Sequence, residues 1–324
     1  MSASLIENPL LRASPAAEFL DDVLRGLSSV SRSVPSKYFY DDIGSTIFDE
    51  ICKLDEYYPT RVESEIMHRY GNEIACRLGA NVRLIEYGSG SSLKTRILLD
   101  RLVDPCLYVP VDISNEHLSR MADTLATDYP LLSVAPVAAD FTRPFEVPKS
   151  RFEARRTCVY FPGSTIGNFL QEEAIQLLAD IADRCERGDG LLIGFDLRKD
   201  KDVLEKAYND RAGVTAAFNK NLLHRMNSDL GANFDTRQFG HHAFFNDAAG
   251  RIEMHLVSLR EQSVDIADHL FRFDRNETIL TEYSQKYSIS DFEQMTAQVG
   301  WQCKETWSDK RDYFAVMYLE RSSF

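Results

Sequence analysis

The stretch that decides the fold is Val82-Arg83-Leu84-Ile85-Glu86-Tyr87-Gly88-Ser89-Gly90-Ser91-Ser92-Leu93-Lys94-Thr95. Its apolar opening predicts a buried strand, and the glycine–serine run predicts a tight turn. Apolar residues then recur at helical spacing, which predicts a helix over 94–103. Glycines let a backbone approach a ligand closely, and a helix N-terminus offers free N–H groups. The pattern is that of a ligand-binding turn or of a plain tight connection, and a lone G-x-G does not decide between them.

Two acidic residues after the turn favour the ligand. A second strand, predicted over 107–111, ends in Asp112, roughly 20 residues past the turn, where an acid can bind ribose hydroxyls. A third strand, predicted over 132–138, is followed by Asp140 beside Phe141. Three successive strand ends therefore carry a glycine turn, an acid, and an acid next to an aromatic ring. This order suits an adenosine, with an acid on the ribose and a ring at the base.

The glycine pattern separates two cofactor classes. Dinucleotide-binding turns follow G-x-G-x-x-G or -A, whereas this chain has Leu93 and then Lys94 at the third position. A phosphate-binding G-x-x-x-x-G-K loop is not present in the sequence. The features favour S-adenosylmethionine in a class I methyltransferase, and a nicotinamide dehydrogenase is the weaker alternative.

Strands and helices alternate regularly on both sides of the turn. This alternation predicts a Rossmann-like α/β fold, a doubly wound and mostly parallel seven-stranded sheet. The predicted strands after the third are 158–161, 191–196, 301–307 and 313–319, and the predicted helices are 63–78, 115–127, 171–187 and 291–299. The last two strands should form an antiparallel pair at the end of the sheet, which is usual for class I methyltransferases and unusual for dehydrogenases.

The remaining segments predict a second domain. Residues 1–61 contain a helix over 16–27 and two tyrosine-rich segments, which either form a lid over a ligand or cover a sheet. After Asp196 come helices over 202–208 and 214–230 and short strands at 242–245, 252–259, 263–265 and 279–287. We expect 62–199 plus 287–324 to form the cofactor domain. We expect 1–61 plus 200–286 to form an α+β substrate domain.

Two further stretches carry polar residues at positions where a ligand could lie. Residues 162–169 follow the fourth strand and end with Asn168, which either holds an amine or carboxylate or caps the next helix. In the strand 279–287, period two puts Glu282 and Ser284 on one face with Leu280 and Lys286. That face either lines a pocket or is solvated. Histidine and cysteine spacing predicts no metal site.

Composition limits the class of partner. The chain has 324 residues, of which 44% are hydrophobic and 27% charged, and its net charge is −13. An acidic surface argues against a nucleic acid or an acidic membrane as partner. Six scattered cysteines without a C-x-x-C pair indicate reduced thiols in a cytoplasmic protein. No apolar run reaches transmembrane length, and residues 1–8 do not have the pattern of a signal segment.

Several segments together resemble the histidine Nα-methyltransferases of ergothioneine biosynthesis. The most specific are Tyr38-Phe39-Tyr40-Asp41-Asp42, Glu86-Tyr87-Gly88-Ser89-Gly90 and Gly163-Ser164-Thr165-Ile166-Gly167-Asn168. Residues 56–61, 213–219, 251–254 and 280–286 are similar as well. The resemblance covers nearly the whole chain, whereas Tyr87, Leu93 and Pro162 depart from the usual pattern.

The resemblance implies a function and a set of site residues. It implies an enzyme that trimethylates the α-amine of L-histidine to hercynine, through the mono- and dimethyl forms, and releases S-adenosylhomocysteine. Separately, we expect a monomer. The implied cofactor-binding residues are Tyr40, Gly88, Lys94, Asp112, Asp140 and Phe141. The implied substrate-binding residues are Tyr57, Gly163, Asn168 and Tyr208 at the amino-acid end, and Met254, Glu282 and Ser284 at the imidazole. Tyr40, Tyr57 and Asn168 should act on the reacting amine, with a tyrosine or a water taking its proton.

Two other functions are compatible with the same fold. One is methylation of another amino acid, such as tyrosine or tryptophan, or of another small molecule. The other is a module that binds the cofactor or an amino acid without turnover.

Overall fold

The computed structural model describes residues 14–90, 93–149 and 153–322. Ser91 and Ser92 of the glycine turn, and the N-terminal residues 1–13, lie outside the described residues. The strands are β1 Val82–Tyr87, β2 Leu107–Asp112, β3 Val137–Ala138, β4 Arg156–Phe161, β5 Gly190–Asp196, β6 Phe239–Asn246, β7 Arg251–Ser258, β8 Gln262–Ile266, β9 His269–Phe273, β10 Thr278–Gln285, β11 Trp301–Ser308 and β12 Phe314–Arg321. The α-helices are α1 Pro15–Ser28, α2 Asp42–Ile51, α3 Tyr58–Leu78, α4 Leu93–Leu99, α5 Asn115–Asp128, α6 Gln171–Asp183, α7 Lys201–Tyr208, α8 Val214–Leu230 and α9 Ile289–Ala297.

A seven-stranded sheet forms the centre of the molecule, in the order β11-β12-β5-β4-β1-β2-β3. β1 is parallel to both β2 and β4, and β4 is parallel to β5. β12 runs antiparallel to β5 and to β11. The strand order reverses between β1 and β4, which is the place where ligands bind in open α/β sheets. The predicted doubly wound sheet with a closing antiparallel pair, typical of class I methyltransferases, is confirmed.

Both faces of this sheet are buried, which explains why its parallel strands are almost continuously apolar. Leu84 and Tyr160 point into one core, which α3, α4 and α5 cover. Ile85 and Val159 point into the other, which α6 and α9 cover. Successive residues of one strand therefore enter different cores, as the pleat requires.

A smaller antiparallel sheet, in the order β10-β7-β6, lies beside the main sheet, and β8 pairs with β9 in a separate hairpin. Helix α8 packs on β6 and β7 and also on α1 and α2. The chain before α2 joins the edge of β10, since the Val34 N–H donates to the Leu280 carbonyl over 2.9 Å and the Leu280 N–H donates to the Arg32 carbonyl over 2.9 Å. None of the helices in the described residues is long and apolar enough to cross a membrane.

Several predicted elements have different bounds in the structure. The strand predicted over 132–138 is wrong in length, because only Val137–Ala138 forms β3 and Val134 makes an isolated bridge to Tyr108. Pro136 has no N–H for a ladder, and β3 lies at the sheet edge, so few hydrogen bonds are available to extend it. The helices predicted over 94–103 and 171–187 end earlier, at Leu99 and Asp183.

Other elements were not predicted at all. The strand β9 was missed, although His269–Phe273 alternates as a strand should. The helix predicted to begin at Glu63 begins at Tyr58, and α2 lies between the two tyrosine-rich segments. Asp41 caps α2 by accepting from the Gly44 N–H, a helix start signal in the sequence.

Substitution of Gly194 tests how tightly β5 packs on α3. A Cβ at this position would clash with the Glu63 carboxylate and lie 3.0 Å from Cε1 of Phe314. We expect G194A to lower the free energy of unfolding by about 1–3 kcal/mol through overpacking, measured by urea denaturation. The control is G240A in β6, where the nearest atom to a new Cβ is Cδ2 of the exposed Leu259 at 3.3 Å. Equal urea midpoints for the two variants would contradict the close contact.

Candidate active site

A cavity of about 640 Å³ lies at the carboxyl ends of the parallel strands, between the main sheet and the β10 strand of the smaller sheet. Its lining includes the ends of β1, β2, β4 and β5 on one side and Leu280–Ser284 on the other. All of the residues that the sequence predicted for the site line this cavity, except Met254. The two sets of predicted residues, distant in the chain, therefore meet in one space.

The glycine turn connects two strand ends. Gly88 and Gly90 have φ values of 69° and 45°, in the left-handed region that glycine adopts without strain. The Gly90 N–H donates to Oδ2 of Asp112 over 3.3 Å, and the Ser114 N–H donates to Oδ1 over 3.0 Å. These bonds orient the half-buried Asp112 carboxylate at the cavity wall. Beneath the turn, the buried Glu86 accepts from the Thr95 hydroxyl and ties α4 to β1.

The third strand end provides an acid and an aromatic wall. The Thr142 N–H donates to Oδ1 of Asp140 over 3.0 Å. The Phe141 ring stacks on Tyr87 with 5.2 Å between centroids and 25° between planes, and Phe161 meets it edge-on. An adenosine needs an acceptor for its ribose hydroxyls and a flat apolar surface for its base. Asp112 and Phe141 have this chemistry, so the residues present fit the adenosine part of S-adenosylmethionine.

An ion pair that the sequence analysis did not predict supports the floor of the cavity. Glu63 is completely buried and accepts from the Lys94 ammonium and from the Gly163 N–H, the latter over 3.0 Å. Lys94 retains two further ammonium protons and lines the cavity. The position of Glu63 between Val62 and Ile66, on the apolar stripe of α3, was the sequence signal for its burial.

Aromatic side chains form the wall opposite the glycine turn. Tyr40 meets Phe48 edge-on at 5.7 Å, and Tyr57 meets Tyr208 edge-on at 6.1 Å. Burial raises the pKa of Tyr40 and of Tyr57 well above the ordinary tyrosine value, so both are neutral phenols. Both rings face the cavity, which agrees with the lid interpretation of the tyrosine-rich segments.

Glu282 lies in the cavity with its carboxylate unpaired. Among the described residues, no side chain or backbone N–H donates a hydrogen bond to it, and burial raises its pKa to about 7. Its neighbour across the ladder is Met254, whose side chain is in the apolar core and not in the cavity lining. Glu282 is half-buried, and a carboxylate with little water and no donor is costly, so it has the character of a residue that receives a ligand N–H.

Asn168 lies at the end of a short 3-10 helix, Thr165–Asn168, and its side chain faces the cavity. The N-cap of the next helix is Leu170, so the alternative in which Asn168 caps α6 is wrong. The turn before it is tight, with positive φ values at Gly163 and Ser164 of 80° and 59°.

A buried polar network lies behind Ser284. The Lys286 ammonium contacts Asp196, Ser284 and Tyr208 at 2.7, 2.7 and 3.2 Å. Asp196 also accepts from Lys199 over 2.6 Å and from the Tyr58 hydroxyl over 2.7 Å. Burial alone would raise the pKa of Asp196, but Lys286 and Lys199 outweigh it and hold that pKa below its usual range. Neither Asp196 nor Lys286 was predicted as a site residue, although Asp196 ends a strand as Asp112 does.

Groups that could bind a metal were searched for in the described ranges. No cluster of histidine, cysteine, aspartate and glutamate side chains there could hold a metal ion. All six cysteines are free thiols.

The similarity of this chain to known proteins covers both the main sheet and the smaller sheet. Residues 19–321 match the model of a family described as histidine-specific methyltransferase, SAM-dependent. The chain is 39% identical over 318 residues to the histidine N-alpha-methyltransferase of Mycolicibacterium smegmatis, covering 96% of this chain and 98% of that protein. It is 39% identical to the Mycobacterium tuberculosis protein of the same name, covering 91% and 92%. Ergothioneine biosynthesis protein 1 of Schizosaccharomyces pombe is 30% identical, covering 85% of this chain and 38% of that protein.

Removal of the Glu63 carboxylate tests its role beneath the cavity. We expect E63A to lower the free energy of unfolding by about 3 kcal/mol, because it leaves Lys94 and the Gly163 N–H without their acceptor. Urea denaturation at constant m-value measures the change.

The control is E305A, which breaks the exposed pair of Glu305 with Arg77 at 2.7 Å. This substitution should lower the free energy of unfolding by less than about 1 kcal/mol. A loss in E63A no larger than in E305A would show that the buried pair is not structurally important.

Proposed function

The chain belongs to the family of histidine-specific, SAM-dependent methyltransferases, and on that premise we propose that it trimethylates the α-amine of L-histidine. The product would be hercynine, in the first step of ergothioneine biosynthesis. One observation carries the proposal: the cavity joins an adenosine-type wall, Asp112 and Phe141, to an unpaired, half-buried carboxylate, Glu282. A pocket for two small molecules, one of them with a ring N–H, fits this arrangement.

The cofactor would bind on the main-sheet side. S-adenosylmethionine supplies a methyl group that its sulfonium already activates. Asp112 would bind the ribose, Asp140 and Phe141 the base, and Gly88 would let the chain pass close to the ligand. Lys94 would offer its two remaining ammonium protons to the carboxylate end, and Tyr40 would close the site from the opposite wall.

Histidine would bind between the cofactor and β10. Glu282 would accept the imidazole N–H, and Ser284 would contact the second ring nitrogen. Met254 would support the strand that carries Glu282, since it lies beside it in the ladder and not in the cavity. This arrangement would favour a polar ring over an apolar one, because a half-buried carboxylate without a donor penalises any ligand that lacks an N–H.

The amino-acid end would lie near Asn168, Tyr57 and Tyr208. Asn168 would hold the amine through its amide, and Tyr57 would donate to the carboxylate beside the Tyr208 ring. The Gly163 N–H is already donated to Glu63, so Gly163 would contribute by allowing close approach of the substrate. The amine must be neutral to attack, and a free α-amine has a pKa of roughly 7.7–8.0. A cavity that excludes water lowers that value and favours the reactive form.

The main task of the chain is to align the amine with the methyl group, since proximity and orientation provide most of the rate. Each methylation adds bulk and removes one N–H donor from the amine. A site built from one amide and aromatic walls tolerates this change, and a cationic ammonium is favoured beside aromatic faces. Because Tyr40 and Tyr57 are neutral phenols, they would pass the amine proton to water and would not retain it.

The same proposal includes the organisation and setting of the protein. Residues 62–199 plus 287–324 would form the cofactor domain, and 1–61 plus 200–286 would form the histidine domain. The protein would act as a cytoplasmic monomer on a small molecule, without nucleic acid, membrane or metal. Its acidic charge of −13 and its free thiols support this part of the proposal.

Mass spectrometry of the protein with S-adenosylmethionine and a mixture of the common amino acids tests the reaction. We expect a product of histidine carrying three methyl groups, with mono- and dimethyl histidine at early times. Methylation of tyrosine or tryptophan above histidine would replace the substrate. Binding of cofactor and amino acid without any methylation would favour a binding module.

Substitution of Glu282 separates binding from chemistry. We expect E282Q to raise KM for histidine by about tenfold or more, since a charged acceptor for the ring N–H is lost. At saturation kcat should change by less than about threefold, because the amine lies at the other end of the substrate. Initial rates over a range of histidine concentrations give both constants.

The matched control is E253Q. Glu253 lies in the adjacent strand, bound to Arg251 and outside the cavity, so its KM should remain that of the unmodified protein. A collapse of kcat in E282Q with unchanged KM would contradict the assignment of Glu282 to the ring.

A further inference from the structure

The three protons of the Lys286 ammonium all have partners. They are donated to Oδ2 of Asp196, to Oγ of Ser284 and to the hydroxyl oxygen of Tyr208. A lysine ammonium can only donate, so both hydroxyl oxygens must act as acceptors toward it. Burial alone would lower the pKa of Lys286, but the contact with Asp196 outweighs it and the pKa is raised. Lys286 therefore remains a donor throughout the neutral pH range.

The two hydroxyls also bond to each other. Their oxygens are 2.8 Å apart, so one of the two hydroxyl protons lies between them. Since Lys286 occupies an acceptor position on each oxygen, the second hydroxyl proton has to point elsewhere. No other acceptor for either hydroxyl exists among the described residues, and both side chains line the cavity. The Tyr208–Ser284 pair must therefore present a hydrogen-bond donor to whatever occupies the cavity.

We propose that Lys286 is a positioning residue that makes the Tyr208–Ser284 pair a donor and thereby selects the neutral form of the substrate's imidazole ring. The inference rests on the proposed function, in which Glu282 takes the ring N–H. A neutral imidazole has one N–H for Glu282 and one lone pair for the donor pair. An imidazolium has two N–H groups and no lone pair, so it leaves a donor facing a donor.

The charges around the ring support the same selection. Asp196 is shared between Lys286 and Lys199, so this buried group carries two ammonium ions for one carboxylate. Titratable groups that line the cavity include the carboxyl groups of Glu282, Asp112 and Asp140, the Lys94 ammonium, and the phenols of Tyr40 and Tyr57. Tyr58 lies outside this lining and donates to Asp196. A cationic ring would have one negative partner, Glu282, and its second N–H would point toward the hydroxyl pair with the Lys286 ammonium behind it.

The unmodified protein provides the first test. Isothermal titration calorimetry in the presence of S-adenosylhomocysteine would compare histidine with triazolylalanine from about pH 5.5 to about pH 8. The triazole keeps an N–H and a lone pair but is protonated only in far more acidic solution. Both ligands share the α-amine, the carboxylate and the protein, so titration of Glu282 and of the lysines affects both alike.

The expected result is a difference in slope. Imidazole becomes protonated below about pH 6.5. In that range the ratio of the Kd of histidine to the Kd of triazolylalanine should rise about tenfold for each pH unit of acidification. A ratio of the two Kd values that stays constant with pH, or that shifts in favour of histidine in acid, would overturn the inference.

Two lysine variants then assign the effect to Lys286. In K286M the hydroxyl pair can rotate and accept from an imidazolium, so the difference in slope should shrink, and histidine at about pH 8 should bind about tenfold more weakly. Asp196 keeps Lys199 and Tyr58 as donors in this variant. The matched control is K199M, which removes the other lysine of Asp196 without touching either hydroxyl, and it should keep the difference.

A third variant keeps the inference testable if K286M does not fold. S284A leaves the ion pair of Lys286 with Asp196 intact and removes the hydroxyl that contacts the ring, so it should also lose the slope difference. Retention of the difference in both K286M and S284A, or its loss in K199M, would contradict the role of Lys286.

The outcome is distinguishable from failure of the proposed function. Histidine binding with the expected slopes but without methylated product would refute the reaction and leave the role of Lys286 standing. Methylated product with equal slopes would refute the role of Lys286 and leave the reaction standing. Absence of binding by either ring would refute both.

Discussion

The ion pair between Asp196 and Lys286 is the interaction on which the relation of the two sheets depends. Asp196 ends β5, an interior strand of the main sheet, and Lys286 follows the last residue of β10. The backbone is joined at the same place, since the Tyr287 N–H donates to the Asp196 carbonyl over 3.0 Å. A buried pair is stable only when its remaining hydrogen-bonding positions are filled. Lys199, Tyr58, Ser284 and Tyr208 fill them here.

This junction explains why the site needs both parts of the chain. The main sheet alone provides Asp112, Asp140 and Phe141 at its strand ends, which is sufficient for a cofactor and says little about the second substrate. The polar side chains of the opposite wall come from β10, which the junction holds across the cavity. The acidic chain also places two lysines beneath the cavity, each bound to a buried carboxylate: Lys94 to Glu63 and Lys286 to Asp196. Their positive charges are thereby fixed in position and only partly available to a ligand.

The accuracy of the sequence analysis varied with the kind of interaction that forms each element. The strands β1, β4 and β5 were predicted closely, because burial on both faces makes them continuously apolar. The edge strand β3 was predicted too long, since its extent depends on hydrogen bonds with one neighbour and not on its own pattern. The strand β9 and helix α2 were missed, and the capping alternative for Asn168 was wrong. The strand β9, the helix α2 and the 3-10 helix that ends at Asn168 are all short, so packing on other parts of the chain outweighs local preference.

The sequence by itself determined the class of fold, the glycine turn and the acids that follow the strands at the cavity. These follow from local patterns: apolar periodicity, the positive φ that glycine permits at the turn, and acids placed directly after strands. The tertiary structure decided which side chains are buried together. It placed Glu282 in the cavity without a donor, moved Met254 into the core, and brought Asp196, Lys199 and Lys286 into one network. The physical reason is that burial and hydrogen-bond pairing depend on residues far apart in the chain, whose proximity no local pattern encodes.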